Sequence, residues 1–388
     1  MMSPVADALR RFLRDDLRLE GVVPLHSPVF RGNERAYVLD CLDSTFVSSV
    51  GEYVTKFENE VARRSGCRFG IATMNGTAAI HALLHAVDVQ PDDLVLCPAL
   101  TFVATVNAIL YTGAAPVFLD SDEDTLGLSP QAVAEFLALC EHRNGQAWYQ
   151  GRRVRACLPV HIFGHVIDIA AIEAACEPYQ VIVLEDAAES LGASRNGRSA
   201  GSLAHAAAVS FNGNKIVTTG GGGCIVTNDE ALAHRLKHLT TTARVRHQWS
   251  FLHDEMGFNY RLPNLNAALG LAQMEQLDGF LAAKRALANC YAAVFQGLPD
   301  VSFVGEPQGV MSNYWLQAIR VRDRQERDAT LEALKADGIE ARPVWSLMPD
   351  LPHLADCAKI GDLAVARRIE DTLINIPSSP WLMDDVAA

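Results

Sequence analysis

The sequence predicts an α/β protein: a large domain on a mixed, mostly parallel sheet of about seven strands, followed by a small α+β domain. Three observations carry this. Between Gly70 and Asn228, short apolar runs alternate with stretches of helical periodicity. From Leu94 to Leu119 the chain runs 26 residues without a charge, but Pro98, Thr101, Thr105, Asn107, Thr112, Gly113 and Pro116 interrupt it. An unbroken run of that length would span a bilayer; broken in this way it reads as strand, helix and strand inside a sheet covered on both faces. After Val301 the pattern becomes a strand–helix–strand unit of its own.

Taken in order, residues 1–24 read as a helical extension. Met1 to Asp16 mixes arginine with aspartate and has no apolar h-region, so the expectation is a cytoplasmic protein. The large domain is expected over 25–264, with strands at Gly70–Thr73, Leu94–Leu96, Val117–Leu119, Ala156–Val160, Val181–Leu184, Ala207–Phe211 and Cys224–Thr227. A helix is expected from Phe102 to Tyr111. Long helical periodicity with few breakers from Leu265 to Phe295 predicts a helical connector over 265–300. The small domain, 301–388, is expected to hold a strand at Tyr314–Val321, a helix at Arg327–Asp337 stopped by Gly338, and a strand at Ile339–Val344.

The 388 residues carry 33 Lys+Arg against 46 Asp+Glu, a formal charge of −13. With no basic block, that balance argues against a nucleic-acid groove or a polybasic membrane patch. Nine cysteines without a CxxC pair make neither a disulfide framework nor a zinc ribbon. His81/His85 and His161/His165 have HxxxH spacing, but neither is HExxH and the second contains Gly164, so no metal site is expected.

Three segments carry chemistry. Met74-Asn75-Gly76-Thr77-Ala78-Ala79-Ile80 joins a strand to a helix, where amides, a hydroxyl and the positive helix end suit a phosphate; an ordinary N-cap is the plainer reading. Val181-Ile182-Val183-Leu184-Glu185-Asp186 delivers a carboxylate to a strand's carboxyl end, where open α/β sheets bind ligands. Ser210-Phe211-Asn212-Gly213-Asn214-Lys215 sets a lone lysine between apolar strands, a setting in which lysines form Schiff bases. The following Gly220 to Gly223 fit no phosphate-loop pattern and suggest a close approach of backbones. A lysine, a carboxylate, an anion site and a flat side chain such as Phe102 together match pyridoxal 5'-phosphate.

At these residues the sequence resembles the DegT/DnrJ/EryC1/StrS sugar aminotransferases, from Leu25 onward. The marks are Ser48-Ser49-Val50-Gly51, Asn75-Gly76-Thr77-Ala78-Ala79, His161-Ile162-Phe163-Gly164, Glu185-Asp186-Ala187-Ala188-Glu189, SFNGNK ending at Lys215, and Gly257-Phe258-Asn259-Tyr260-Arg261-Leu262-Pro263-Asn264. The set is most similar to the branch acting on nucleotide-linked 4-keto-6-deoxy-N-acetylhexosamines, including legionaminic acid and bacillosamine pathway enzymes.

The resemblance implies fold type I, a homodimer with shared active sites, and transfer of an amino group from L-glutamate to the 4-keto carbon of a nucleotide sugar. UDP is the nucleotide it implies first. GDP- or dTDP-linked keto sugars, and a PLP-binding regulator without activity, are the alternatives. It also implies roles: Lys215 holds the cofactor and moves a proton, and Asp186 keeps the pyridine nitrogen protonated. Phe102 stacks on the ring, Glu189 lies near its hydroxyl, and Gly76, Thr77 and Ser210 hold the phosphate, joined by Asn259 of a neighbouring subunit. Asn33, Ser48, His161, Asn214, Arg261 and Tyr314 are the implied sugar-nucleotide contacts. The chain stops at Ala388, where the family commonly continues into a final helix.

Overall fold

The large domain's strands arise where apolar residues run without alternation, so both faces must be covered. In the computed structural model, which describes residues 3–384, these strands are β1 (Phe69–Thr73), β2 (Leu94–Pro98), β3 (Ala115–Leu119), β4 (Arg152–Cys157), β5 (Ile182–Asp186), β6 (Ala206–Ser210) and β7 (Gly223–Thr227). The first two residues of the expected extension and the last four of the expected small domain lie outside the described residues.

The sheet order is β1-β7-β6-β5-β4-β2-β3. Strand β7 is antiparallel to both β1 and β6, and the other neighbours are parallel. Six strands therefore run one way and bring Thr73, Pro98, Leu119, Cys157, Asp186 and Ser210 to a common edge. Strand β7 starts at that edge with Gly223, paired to Thr73 on one side and Ser210 on the other.

All seven expected strands are present. Strand β4 begins at Arg152, earlier than expected, because its arginines are spoken for. Arg153 pairs with Asp93 at 2.7 Å, and Arg155 donates to the Val87 carbonyl at 3.0 Å. The uncharged run forms β2, a helix Val103–Tyr111 and β3, with Leu96, Val106, Ile109 and Phe118 fully buried. Among the described residues, no helix is long and apolar enough to cross a membrane.

The small domain's sheet orders Val301–Phe303, Gln317–Val321, Leu373–Ile376 and Arg342–Pro343, all antiparallel. Its helix, Arg324–Ala336, is capped by the Asp323 side chain and followed by Gly338 at φ +69°. The amino-terminal helix, Pro4–Arg11, packs against later elements: Val5 and Leu9 share a core with Leu287, Tyr291 and Ile319. Two expectations need correction here. The connector is two helices, Asn264–Met274 and Leu277–Phe295. Between them the Glu275 and Gln276 side chains turn to Asn33, Tyr37 and Glu34. Finally, Ala358–Lys359 leaves the small domain and extends the large sheet, parallel to β3.

Candidate active site

The common edge of the large sheet gathers the three chemical segments. After β1, Asn75 caps the helix Gly76–Ala86, its Oδ1 accepting the Ala78 amide at 2.8 Å. The cap leaves the Gly76 and Thr77 amides ahead of the first intrahelical bond, so they point outward as donors. A Cβ on Gly76 would lie 3.0 Å from the Ser210 Cβ and 3.2 Å from its Oγ, which places this helix start against the end of β6. A Cβ on Gly223 would meet the Asn75 carbonyl oxygen at 2.4 Å, so of the glycine run it is Gly223 that allows a close backbone approach, while Gly221 has nothing within 4 Å.

Lys215 follows β6 on a loop whose turn is closed by its own amide on the Asn212 carbonyl, 3.0 Å away. Its Nζ donates to Glu189 Oε1 at 3.2 Å and lies 3.6 Å from the centroid of the Trp315 ring. Glu189 is buried and its other oxygen accepts the Phe163 amide at 2.9 Å. Burial pushes the Glu189 pKa up, against the pull of the Lys215 charge. Asp186, also buried, accepts from Thr105 Oγ1 at 2.7 Å and from the Ala188 amide at 3.1 Å. Thr105 in turn shares a 3.0 Å hydrogen bond with Thr101. Burial raises Asp186 as well, with Thr105, the Ala188 amide and the Lys215 charge opposing. Phe102 caps the helix Val103–Tyr111 and stays half exposed, its ring 6.2 Å from that of Trp345.

The implied substrate residues divide. His161 is fully buried: Nε2 meets Glu185 Oε2 at 2.9 Å and Nδ1 accepts the Ile167 amide at 3.3 Å. Both ring nitrogens are occupied, so a sugar contact is corrected to an internal prop beneath Asp186, whose carbonyl accepts the His161 amide. Tyr314 is buried too, edge-on to His165, and its backbone sits at φ +46° rather than in the expected strand. That kink, held by Asn313 Oδ1 on the Trp315 amide at 2.8 Å, turns Trp315 and not Tyr314 toward Lys215. Asn214 is exposed, with its carbonyl accepting Trp315 Nε1 at 2.7 Å. Asn33 is bound to Glu275 at 2.7 Å, and the Ser48 carbonyl accepts the Asn264 amide at 2.7 Å.

The Arg261 backbone bridges Thr73 at the common edge, and the residue lines a hollow of about 850 Å³ with Ser49, Lys237, Arg244, Arg246 and His253. Lys237 is tied to Glu58, while Arg244, Arg246 and Arg261 have no carboxylate partner among the described residues. Asn259 is exposed and bridges to Thr241. His81, on the helix Gly76–Ala86, shares a 3.1 Å hydrogen bond with the Tyr260 hydroxyl and packs on Phe258.

This arrangement has the donor set of a Schiff-base cofactor, and the comparison with known proteins agrees. The sequence model of the DegT/DnrJ/EryC1/StrS aminotransferase family matches residues 29–388. The chain is a member of that family. A GDP-perosamine synthase of Escherichia coli O157:H7 is 35% identical over 363 residues, covering 94% of this chain and 95% of the relative. A Bacillus subtilis protein, EpsN, named for pyridoxal phosphate-dependent aminotransfer, is 37% identical over 84% of this chain and 82% of its own. The structure of the aminotransferase TlmJ from Streptoalloteichus hindustanus superposes with a TM-score of 0.83 at 25% identity, covering 92% of this chain and 94% of the other.

The protein is thus a pyridoxal phosphate-dependent nucleotide-sugar aminotransferase of fold type I. The aminotransferase's own residues fit the cofactor: an amine and two buried carboxylates sit beside a helix start that glycine keeps open. Trp315 and Thr105 were missed in the sequence. Trp315 stands next to a residue that was singled out, and Thr105 lies one helical turn beyond Thr101, a spacing that signals a shared face.

Proposed function

We propose that the enzyme moves the amino group of L-glutamate to the 4-keto carbon of a nucleotide-linked 4-keto-6-deoxy sugar, as a cytoplasmic homodimer. The observation that carries this is the Lys215 amine, fixed between Glu189 and Trp315 at the sheet edge that also presents Asp186. Pyridoxal phosphate, when bound, supplies an aldehyde for amines and a protonated ring that draws electrons from the attached carbon.

The residues divide the remaining work. Lys215 Nζ would hold the cofactor and would carry the proton that the transfer moves. Asp186 keeps a proton on the ring nitrogen, and its fixed hydrogen bonds to Thr105 and Ala188 hold it in line for that task. Glu189 would face the ring hydroxyl and Phe102 would cover the ring. Gly76, Thr77 and Ser210 would bind the phosphate with hydroxyls and amides, and Asn259 would reach it from the second subunit. The exposed Trp249, at 72%, and Phe251, at 77%, support a subunit contact near that segment.

The three unpaired arginines of the hollow suit a diphosphate, in a protein whose net charge is otherwise negative. The motif set supports a UDP-linked N-acetylhexosamine; the name of the E. coli relative supports a second reading, a GDP-linked sugar.

One assay addresses both. Purified enzyme, charged with glutamate, is offered UDP-, GDP- and dTDP-linked 4-keto-6-deoxy sugars, and amine appearance is measured. Amine on one of them is the expected result. Failure of all, or cofactor bound without glutamate consumption as in a regulator, sinks the reading.

A further inference from the structure

The two groups that flank the Lys215 amine, the Glu189 carboxylate and the Trp315 ring, come from distant parts of the chain. One side chain holds both. Asn313 is buried, at 1% exposure. Its Nδ2 donates to the Glu189 and Leu191 carbonyls, each at 2.9 Å, and its Oδ1 accepts the Trp315 amide at 2.8 Å. Two carbonyls need donors and one amide needs an acceptor, which an amide side chain supplies together. A carboxylate lacks the donors, and a hydroxyl has one hydrogen to give.

The surroundings are shaped to admit this side chain. A Cβ on Gly164 would collide with Asn313 Oδ1, and Gly164 sits at φ +99°, where glycine carries no steric cost. The residue before it, Phe163, donates its amide to Glu189 Oε2 at 2.9 Å. The Phe163 ring lies 6.2 Å from that of Trp315 and 5.1 Å from that of Trp345, which in turn neighbours Phe102. Lys284 donates to the Trp315 carbonyl at 3.0 Å, and Trp315 Nε1 donates to the Asn214 carbonyl at 2.7 Å. The hydrogen bond of the Lys215 amine goes to Glu189, so Asn313 bears on the amine through its neighbours.

We infer that Asn313 is a positioning residue for the amine transfer. It clasps the turn that carries Glu189 to the kink that carries Trp315, and so sets the gap in which the Lys215 amine works. This rests on the role proposed above for Lys215. Asp186 and His26 also feel the Lys215 charge, and Asn313 is bonded to neither.

The test is a pH titration of the loaded enzyme, following the absorbance of the Lys215-bound cofactor, beside melting scans and steady-state kinetics. Asn313→Ala gives up all three bonds. Asn313→Ser keeps an oxygen that can accept the Trp315 amide and gives up the clasp on the two carbonyls. Glu189 and Trp315 both favour the protonated form of the nitrogen they flank. The midpoint should therefore fall by about 0.5 pH units or more in Asn313→Ala, and by less in Asn313→Ser. In Asn313→Ala, kcat should drop about 10–100-fold, with KM for the sugar nucleotide within about twofold of wild type. Added to Trp315→Leu, Asn313→Ala should cost less than it does in the wild type, because part of its path is already gone. Ile319→Val, a core change in the small domain, is the control: it should lower Tm and leave midpoint and kcat alone. If Asn313→Ala does not fold, Asn313→Ser decides. An unmoved midpoint, one that moves as far in Ile319→Val, or an equal cost with and without Trp315 would make Asn313 a structural residue and overturn the inference. Borohydride fixing the wild-type cofactor on a lysine other than Lys215 would instead overturn the reading of Lys215, and this inference with it.

Discussion

The Lys215 amine lies 3.6 Å from the centroid of the Trp315 ring, so the residue proposed to handle the proton is steered by an indole from the small domain's side of the chain. On its other flank Glu189 Oε1 stands 3.2 Å away. Removing the amine should therefore do more than stop turnover. Lys215→Ala is expected to reduce turnover by at least about 10²–10⁴-fold. Borohydride treatment should leave no cofactor mass on the variant, whereas wild type keeps it on Lys215. An adduct at another lysine would contradict this role. Trp315→Leu should cost about tenfold in kcat through the lost cation–π contact, and Trp315→Tyr much less.

Asp186 gives a prediction whose sign depends on pH. Burial raises its pKa above that of an exposed aspartate. An acid that binds its proton more tightly when folded contributes stability below that value and loses it as pH rises through the folded pKa. At neutral pH the ionised Asp186 therefore costs folding free energy. Asp186→Asn should leave the cofactor-free protein as stable or up to about 4 °C more so, while turnover falls at least about 10²-fold. Melting scans at neutral and mildly acidic pH test it; the advantage of the variant should shrink in acid. A destabilised variant with retained turnover is the opposite outcome.

The glycines make a paired prediction. A Cβ at Gly223 meets the Asn75 carbonyl oxygen at 2.4 Å, an atom that cannot step aside without moving the helix start. Gly223→Ala should cost about 1–3 kcal/mol of stability and weaken cofactor affinity, read by titration of the cofactor-free protein. Gly279, inside the helix Leu277–Phe295, has nothing within 4 Å of its would-be Cβ. Gly279→Ala should add about 0.4–1 kcal/mol and leave cofactor affinity alone.

The basic hollow predicts a division between substrates. Arg246→Ala should raise KM for the sugar nucleotide about 5–50-fold with little change in the glutamate half-reaction. The difference from wild type should narrow as salt is raised, because exposed charges are screened. A salt-independent effect, or one shared with glutamate, would remove the hollow from the substrate path.

The positions of the large sheet's strands along the chain could be read because buried parallel strands leave uninterrupted apolar runs; their order in the sheet, set by contacts distant in sequence, could not. The three segments around Gly76, Asp186 and Lys215 were legible for a related reason: each breaks such a run at a strand end. What escaped depended on contacts distant in sequence. Trp315 meets Lys215 only because Asn313 and Lys284 hold a kink at Tyr314, and no periodicity announces a kink. His161 carried a familiar motif but not its destination, since only the fold puts Glu185 beside it. The break at Glu275 was hidden because its cause, Asn33 and Tyr37, lies 242 and 238 residues upstream.

Leu25 and Ser27 are fastened to Ser378 and Ser379, 352 residues apart for Ser27 and Ser379. During synthesis the segment around Leu25 meets these partners only once nearly the whole polypeptide has been made. The cofactor site is late as well: the large sheet gains its edge pair at Ala358–Lys359, and Lys215 meets its indole only at Trp315. A chain stalled before residue 315 would hold Lys215, Asp186 and Glu189 without the ring that flanks the amine.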